Sequence, residues 1–369
     1  MDDALPPYRD GPVSAAFFGT QALGNFIIYN VVAASVARAV GGRLIAVYHD
    51  DRPYKTVVTL MNPCVTQTVK TPADPNAVVP LDWFDGRADV AGRPFAQDWY
   101  EQGFHAPAIV LPPSMMDIGR VVGRAPSLRL PETLAPALET ALVRLGVDRQ
   151  RWFAVLHMRE SGYGPRAGLD TVRSVNPRTY IPPIEEIVAA GGQVVRLGDA
   201  SMAPLPNISG LIDLARTPAG FAEQAFATSR ARFFLGTDSG PTQLACALKV
   251  PAATTNAAGI GVWNDGDVVL FKRFRLSNGR VLGIDELLAA GNWGMQVVYP
   301  KHEATVEDNA PDDLAAVARH MIATTAGEEG WREPASDAPL EPADGLTFPL
   351  PWRPATEIAD LTVWPQSDG

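Results

Sequence analysis

The chain has 369 residues, 46% of them hydrophobic and 20% charged, with a formal net charge of −10 at neutral pH. This is a soluble globular composition long enough for about two or three domains, and its acidity excludes the clustered Lys and Arg of a nucleic-acid footprint. No apolar run approaches the ~20 residues of a membrane-spanning helix, the opening MDDALPPYRD carries no secretory signal, and Cys64 and Cys246 form neither a disulfide framework nor a metal pattern. The expectation is a cytoplasmic protein, with peripheral attachment to a membrane left open.

From Ser14 the sequence runs SAAFFG, TQALGNF, IIYNVVAASVARAV and GGRLIAVYHDD. The pattern predicts a strand, a glycine-bearing loop, an amphipathic helix ended by Gly41-Gly42 and a second strand. Such a βαβ unit implies a parallel sheet. Gly24 and Asn25 stand at the head of the helix, beyond the carboxyl end of the first strand, where open α/β sheets bind ligands. The glycine spacing does not match the dinucleotide fingerprint, so no NAD is implied. Residues 62–127, rich in Pro and aromatics, predict long loops around the first domain's cleft. Residues 131–145 (PETLAPALETALVRL) predict a helix stopped by Gly146.

A second alternation starts at Trp152. WFAVLHMRE predicts a buried strand, followed by a glycine- and charge-rich loop, a helix over PPIEEIVAA, a strand over QVVRLGD, a short strand in NISGLIDLA and a helix over 219–230. FFLGTDSGPTQLACALKVPAATTN then reads as a buried strand, a small-residue turn and a helix beginning at Pro241. Asp238 or Ser239 is placed to cap that helix, whose N-terminus points donors and a positive dipole end at one spot suited to a phosphate. Further on, Lys272 and Arg273 follow an apolar strand-like run, residues 283–290 predict a short helix, and residues 308–324 predict a final helix with Pro311 near its start. The tail from about residue 327 is acidic and Pro-rich before the aromatic TFPLPWRP.

The polar ends of the second set of strands are His157 and Arg159; Arg196, Gly198 and Asp199; and Thr237, Asp238, Ser239 and Gly240, with Gln243 in the helix that follows. In a doubly wound sheet these ends share one edge. Together they predict a diphosphate clamp: an Arg fork, an imidazole and a helix N-terminus, with Arg166, Arg173 and Arg178 adding positive charge. The plain alternatives are a core histidine at 157 and an ordinary crossover turn at 236–240.

The order HMRESGYG, LDTVRSVNPRTY, VVRLGD, FFLGTDSGPTQLACAL, DVVLFKRF and VEDNAPDDL resembles a bacterial family of glycosyltransferases associated with surface-polysaccharide synthesis. The resemblance covers residues 152–325, and GTQALGN more loosely. His157-x-Arg159 is similar to the donor-phosphate motif of GDP-fucose transferases, and the turn at 236–240 to the donor-side turn of heptosyltransferases. These likenesses imply the α/β GT-B architecture: two Rossmann-like domains facing each other across a cleft. On that division residues 1–148 form the acceptor domain, 149–328 the nucleotide-sugar donor domain, and 329–369 a tail.

Heptosyltransferases carry a catalytic Asp in the N-terminal glycine loop, where this chain has Asn25, which cannot serve as a general base. His49, Asp50, Asp51, His105 and Asp117 are the replacement candidates, with Asp50-Asp51 best placed by topology. The expected activity is transfer of a sugar from a nucleoside-diphosphate sugar to a glycan, lipid-linked, peptide or small-molecule acceptor, by a hexosyl- or deoxyhexosyl-transferase. Arg159 and the helix end would stabilise the leaving diphosphate, with no metal and no other cofactor, since no paired acidic motif follows a strand in the donor half. Inversion at the anomeric carbon is implied by the related families. Two other readings stay open: a GT-B-like nucleotide-sugar epimerase, which needs paired acid/base carboxylates, and a non-catalytic nucleotide-sugar binding protein.

Overall fold

The computed structural model describes residues 13–18, 22–39, 43–71, 108–110, 128–160, 172–258, 267–283, 286, 304–325, 330–334, 353–354 and 361–363. These fall into two compact units, one extending to Leu134 and the other covering Ala135–Pro334 together with 353–354 and 361–363.

In the first unit, β1 (Val13–Phe18), β2 (Arg43–His49), β3 (Val65–Thr71) and β4 (Ala108–Val110) form a parallel sheet in the order β3-β2-β1-β4. Helix α1 (Leu23–Ala39) joins β1 to β2, and α2 (Pro53–Leu60), opened by its proline, joins β2 to β3. The buried ring of Phe26 meets Phe18, Tyr48 and Tyr54 at centroid distances of 5.5, 5.9 and 6.1 Å. Buried Asn62 ties α1 to the approach to β3, donating to the Asn30 carbonyl at 3.0 Å. Two expectations change here. The helix starts at Leu23, so Gly24 and Asn25 lie in its first turn and not in a loop before it. The region read as loops holds β3, an edge strand whose Thr66, Gln67 and Thr68 are exposed, so no apolar run marks it.

The second unit is built on β5 (Phe153–His157), β6 (Gln193–Arg196), β7 (Leu211–Asp213), β8 (Phe233–Thr237), β9 (Ala252–Ala257) and β10 (Val268–Phe271), all parallel. Every residue of β5, β6, β8, β9 and β10 is buried, which is why they read as continuous apolar runs. The order β10-β9-β8-β5-β6-β7 is that of a doubly wound sheet, with the reversal between β5 and β8. Beyond β10, β14 (Leu361–Val363) and β13 (Arg353–Pro354) add antiparallel. A small antiparallel pair joins β11 (Arg273–Arg275) to β12 (Thr305–Glu307).

Helices α4 (Ile181–Ala189) and α7 (Pro311–Thr324) cover one face of this sheet. Ile184, Ile187, Leu314, Val317 and Met321 pack on Ala154, Leu156, Phe233 and Leu235. On the other face, α5 (Phe221–Arg230) brings Phe226 against Trp331, which stands edge-on to Phe153 at 5.6 Å. Trp331 also donates its indole N–H to the Asp148 carbonyl at 2.9 Å, and the Arg332 N–H reaches the Arg230 carbonyl at 3.0 Å. Helix α3 (Ala135–Arg144) packs against α5, and the second compact unit begins with it. The helix expected over 283–290 lies outside the described residues except at Gly283 and Glu286.

Candidate functional site

The reversal between β5 and β8 is where a doubly wound sheet opens a crevice at its carboxyl edge. The two strands come unusually close there. Gly236 pairs with His157, and a Cβ on Gly236 would lie 2.2 Å from the His157 carbonyl oxygen. Just past the strand ends, the Arg159 N–H donates to Thr237 Oγ1 at 2.9 Å, and the Arg159 carbonyl accepts from the Val175 N–H at 3.0 Å. The backbone of Arg159 is thus pinned on both sides while its side chain is half-buried.

Helix α6 (Gly240–Ala247) starts at the same point, with Ser239 in the N-cap position. Ser239 makes no cap hydrogen bond; its hydroxyl pairs instead with His157 Nδ1 at 2.9 Å. The first-turn N–H groups of α6 therefore keep the uncapped state in which a helix end attracts anions. Thr242 reinforces the turn by donating to the Thr237 carbonyl at 2.6 Å. Arg173 reaches across to the Asp238 carbonyl at 2.8 Å and stands 3.6 Å from its carboxylate. Gln243 is buried with its Oε1 lacking a hydrogen-bond partner among the described residues, an acceptor that a bound donor group would satisfy. His157 is buried, and burial first, then the positive charges of Arg159 and Arg196, hold its pKa down at about 3. At neutral pH it is an uncharged imidazole that can hydrogen-bond but adds no positive charge.

Three of the expected site residues are otherwise engaged. Arg196 is fully buried between two carboxylates, donating to Glu160 Oε1 at 2.7 Å and Asp213 Oδ2 at 2.8 Å. Both ends of its fork are taken by these carboxylates. Gly198 adopts φ +149° with its N–H and carbonyl both bonded to the Gln224 side chain at 2.9 Å. Asp199 accepts from the Ser201 N–H at 2.8 Å and closes a local turn. Arg178 is exposed at the start of a 3-10 turn capped by Asn176.

In the first unit, Gly24 and Asn25 are half-buried in the first turn of α1, and Asp50 and Asp51 follow β2, the strand paired with β1. Asp50 bonds Lys70 at 2.6 Å, and chiefly that bond holds its pKa below the ordinary carboxylate value. Asp51 pairs with buried Lys55 at 2.7 Å; burial pushes its pKa up, but the lysine's hydrogen bond and charge leave it lowered overall. Both carboxylates are ionised and committed to lysines, so the structure gives neither the poised pKa of a general base. His49 is half-buried, and its carbonyl accepts from Lys55 at 3.0 Å. His105, Asp117 and Arg166 lie outside the described residues.

No family model matches the sequence, and no curated protein matches it. Among solved structures, the chain is similar to a glycosyl transferase of family 9 from Veillonella parvula, at 10% identity and a TM-score of 0.49 over 85% of this chain and 98% of that one. It is similar to an ADP-heptose lipopolysaccharide heptosyltransferase II from E. coli, at 13% identity and a TM-score of 0.46 over 79% and 100%. It is also similar to the iron-containing heptosyltransferase TibC, solved with ADP-D-beta-D-heptose, at 14% identity and a TM-score of 0.42 over 86% and 78%. Likeness at this level follows the path of the backbone and assigns no residue.

The site is built from two strand ends, a helix start and the segment 172–176, within one unit. The backbone of Arg159 and the side chain of Arg173 meet this strand-to-helix turn, Arg173 beside the Asp238 carboxylate. Among the described residues there is no group of three His, Cys, Asp or Glu side chains placed to hold a metal ion, and no helix long and apolar enough to cross a membrane. Sequence reasoning did not single out Asp213, and it noted Lys272 only as following an apolar run. Lys272 is buried, donating to Asp308 at 2.7 Å and to the Ser174 carbonyl at 2.9 Å, and so tethers the segment that carries Arg173. The available signal was charge at the ends of neighbouring strands, Glu160, Arg196 and Asp213 in turn.

Proposed function

We propose that the protein is a glycosyltransferase that takes a sugar from a nucleoside-diphosphate donor held in the second unit. The observation that carries this reading is the junction of β5 and β8, where the Thr237 hydroxyl fixes the backbone of Arg159 beside the uncapped start of α6. A planar guanidinium and a row of helix N–H groups match the oxygens of a diphosphate and strengthen their hold as the sugar bond breaks and charge gathers on the leaving group. Arg173 adds a second cation, and neutral His157 serves as a hydrogen-bonding group oriented by Ser239. The sugar-transfer chemistry rests on the motif order across residues 152–325, which resembles the surface-polysaccharide glycosyltransferases.

In this reading the reaction needs no metal, because side-chain cations and the helix end supply the positive charge, and it inverts the anomeric centre. The acceptor is a sugar-bearing or other hydroxyl compound taken by the first unit, with Gly24 and Asn25 lining its site. An epimerase is less well supported, since Asp50 and Asp51 are both held ionised by lysines and neither is an acid of raised pKa. A thermal-shift and calorimetric panel of ADP, CDP, GDP, TDP and UDP and their sugars tests the reading. Binding of one nucleoside diphosphate, with release of that diphosphate from its sugar when acceptor is supplied, supports it. Failure of the whole panel to bind overturns it.

A further inference from the structure

We infer that Arg196 is a positioning residue that holds Arg159 in place through Glu160, an inference that rests on the donor-phosphate reading of Arg159. Arg196 ends β6 with 0% exposure, the largest side chain buried so completely among the described residues. Its guanidinium joins Glu160 at 2.7 Å and Asp213 at 2.8 Å, and no group among the described residues meets its Nε. The free oxygens of the two carboxylates are also used: Glu160 Oε2 accepts from the Ala203 N–H at 2.7 Å and Asp213 Oδ1 from the Ala215 N–H at 3.1 Å.

Removing three charges from water is costly, and well-packed apolar side chains usually serve stability as well or better. Nor is the cluster needed for strand register, because β5, β6 and β7 are already joined by their own backbone pairing. Its contribution lies beyond the strand ends. Glu160 directly follows Arg159, whose N–H is held by Thr237 and whose carbonyl is held by Val175. Arg196 adds a third tether from β6, on the opposite side of β5 from β8. Three anchors from three elements fix the point from which the Arg159 side chain departs. A catalytic fork gains from such fixing because a displacement of about 1 Å can cost a hundredfold.

The test uses full-length protein and the nucleoside diphosphate of the ADP, CDP, GDP, TDP and UDP panel that binds it most tightly. Arg196→Met strands two buried carboxylates and is expected to fold poorly, so Glu160→Ala, which leaves Arg196 paired with Asp213, is the informative variant. Affinity is measured calorimetrically well below the variant's melting temperature. Glu160→Ala is expected to weaken binding about tenfold or more in the otherwise unmodified protein. In the Arg159→Lys background, which keeps the charge but not the fork, the same change is expected to cost less than about twofold, because residues acting through one another are not additive. Unchanged affinity with a lowered melting temperature would mark the cluster as structural only. An equal loss in both backgrounds would show action independent of Arg159; either result overturns the inference. If no nucleotide binds the unmodified protein, the donor-phosphate reading falls and this inference with it, a failure distinguishable from the other two.

Discussion

His157 makes the second unit acid-sensitive in a way that can be worked out from its surroundings. Its imidazole is buried beside Arg159 and Arg196, and its pKa falls from 6.5 to about 3. Above pH 6.5 the ring is neutral in both the folded and unfolded chain and favours neither. Below it the unfolded chain takes up a proton that the folded state refuses, so stability falls as pH drops, at up to about 1.4 kcal/mol per pH unit until about pH 3. Between pH 6.5 and 4.5 the loss approaches ~2.5 kcal/mol, a large part of a typical domain stability of roughly 5–15 kcal/mol. His157→Gln keeps a polar side chain without a titrating ring. Hydrogen exchange followed by mass spectrometry on peptides spanning β5 and β8 reads the opening free energy of this unit alone. The variant should be less stable at pH 7, and the gap to the unmodified protein should narrow by about 2 kcal/mol on going to pH 4.5. Parallel pH profiles for the two proteins would refute the buried neutral imidazole.

Arg159→Ala should lower kcat/KM by the equivalent of about 2–4 kcal/mol with little change in melting temperature, and Arg159→Lys should be nearly as damaging because the planar fork is lost; unchanged nucleoside-diphosphate affinity in calorimetry would sink the phosphate role. Activity should survive EDTA; complete loss restored by Mn²⁺ or Mg²⁺ would show that a metal supplies the charge assigned here to arginines and a helix end. Gly236→Ala forces a methyl toward the His157 carbonyl, 2.2 Å from its ideal position, and should destabilise by ~1–3 kcal/mol or more. An unchanged melting temperature would mean that β5 and β8 are not so closely apposed.

The strands that build the site were legible because they are buried on both faces: VVL in β10 and FFLGT in β8 carry no polar alternation and sit between turn signals. The convergence of His157, Arg159 and the 237–240 turn followed from topology, since strand ends in a doubly wound sheet share an edge. What the sequence hid was the destination of each charge. Arg196 looks like Arg159, an arginine at a strand end, and only the placement of Glu160 and Asp213 beside it shows that its fork is taken. Ser239 reads as a helix cap, but its hydroxyl pairs with His157, a ring brought from 82 residues away. Asp50 and Asp51 read as free carboxylates until Lys70 and Lys55 are seen to neutralise them. β3 escaped notice because an exposed edge strand has no apolar signature.

The contact between Trp331 and Asp148 joins residues 183 apart in sequence within the second unit. During synthesis the chain leaves the ribosome with β5 almost at the front of this unit, and β5 waits about 80 residues for β8, its partner at the site. The face of the sheet carrying Phe153 and Phe226 waits longer still, for the segment that lays the indole of Trp331 against both rings. A sheet face covered by a residue made so late is slow to complete and leaves aromatic surface bare in nascent chains that stop short of it. Trp331, far along the sequence from β5, thus governs when this face of the sheet is covered.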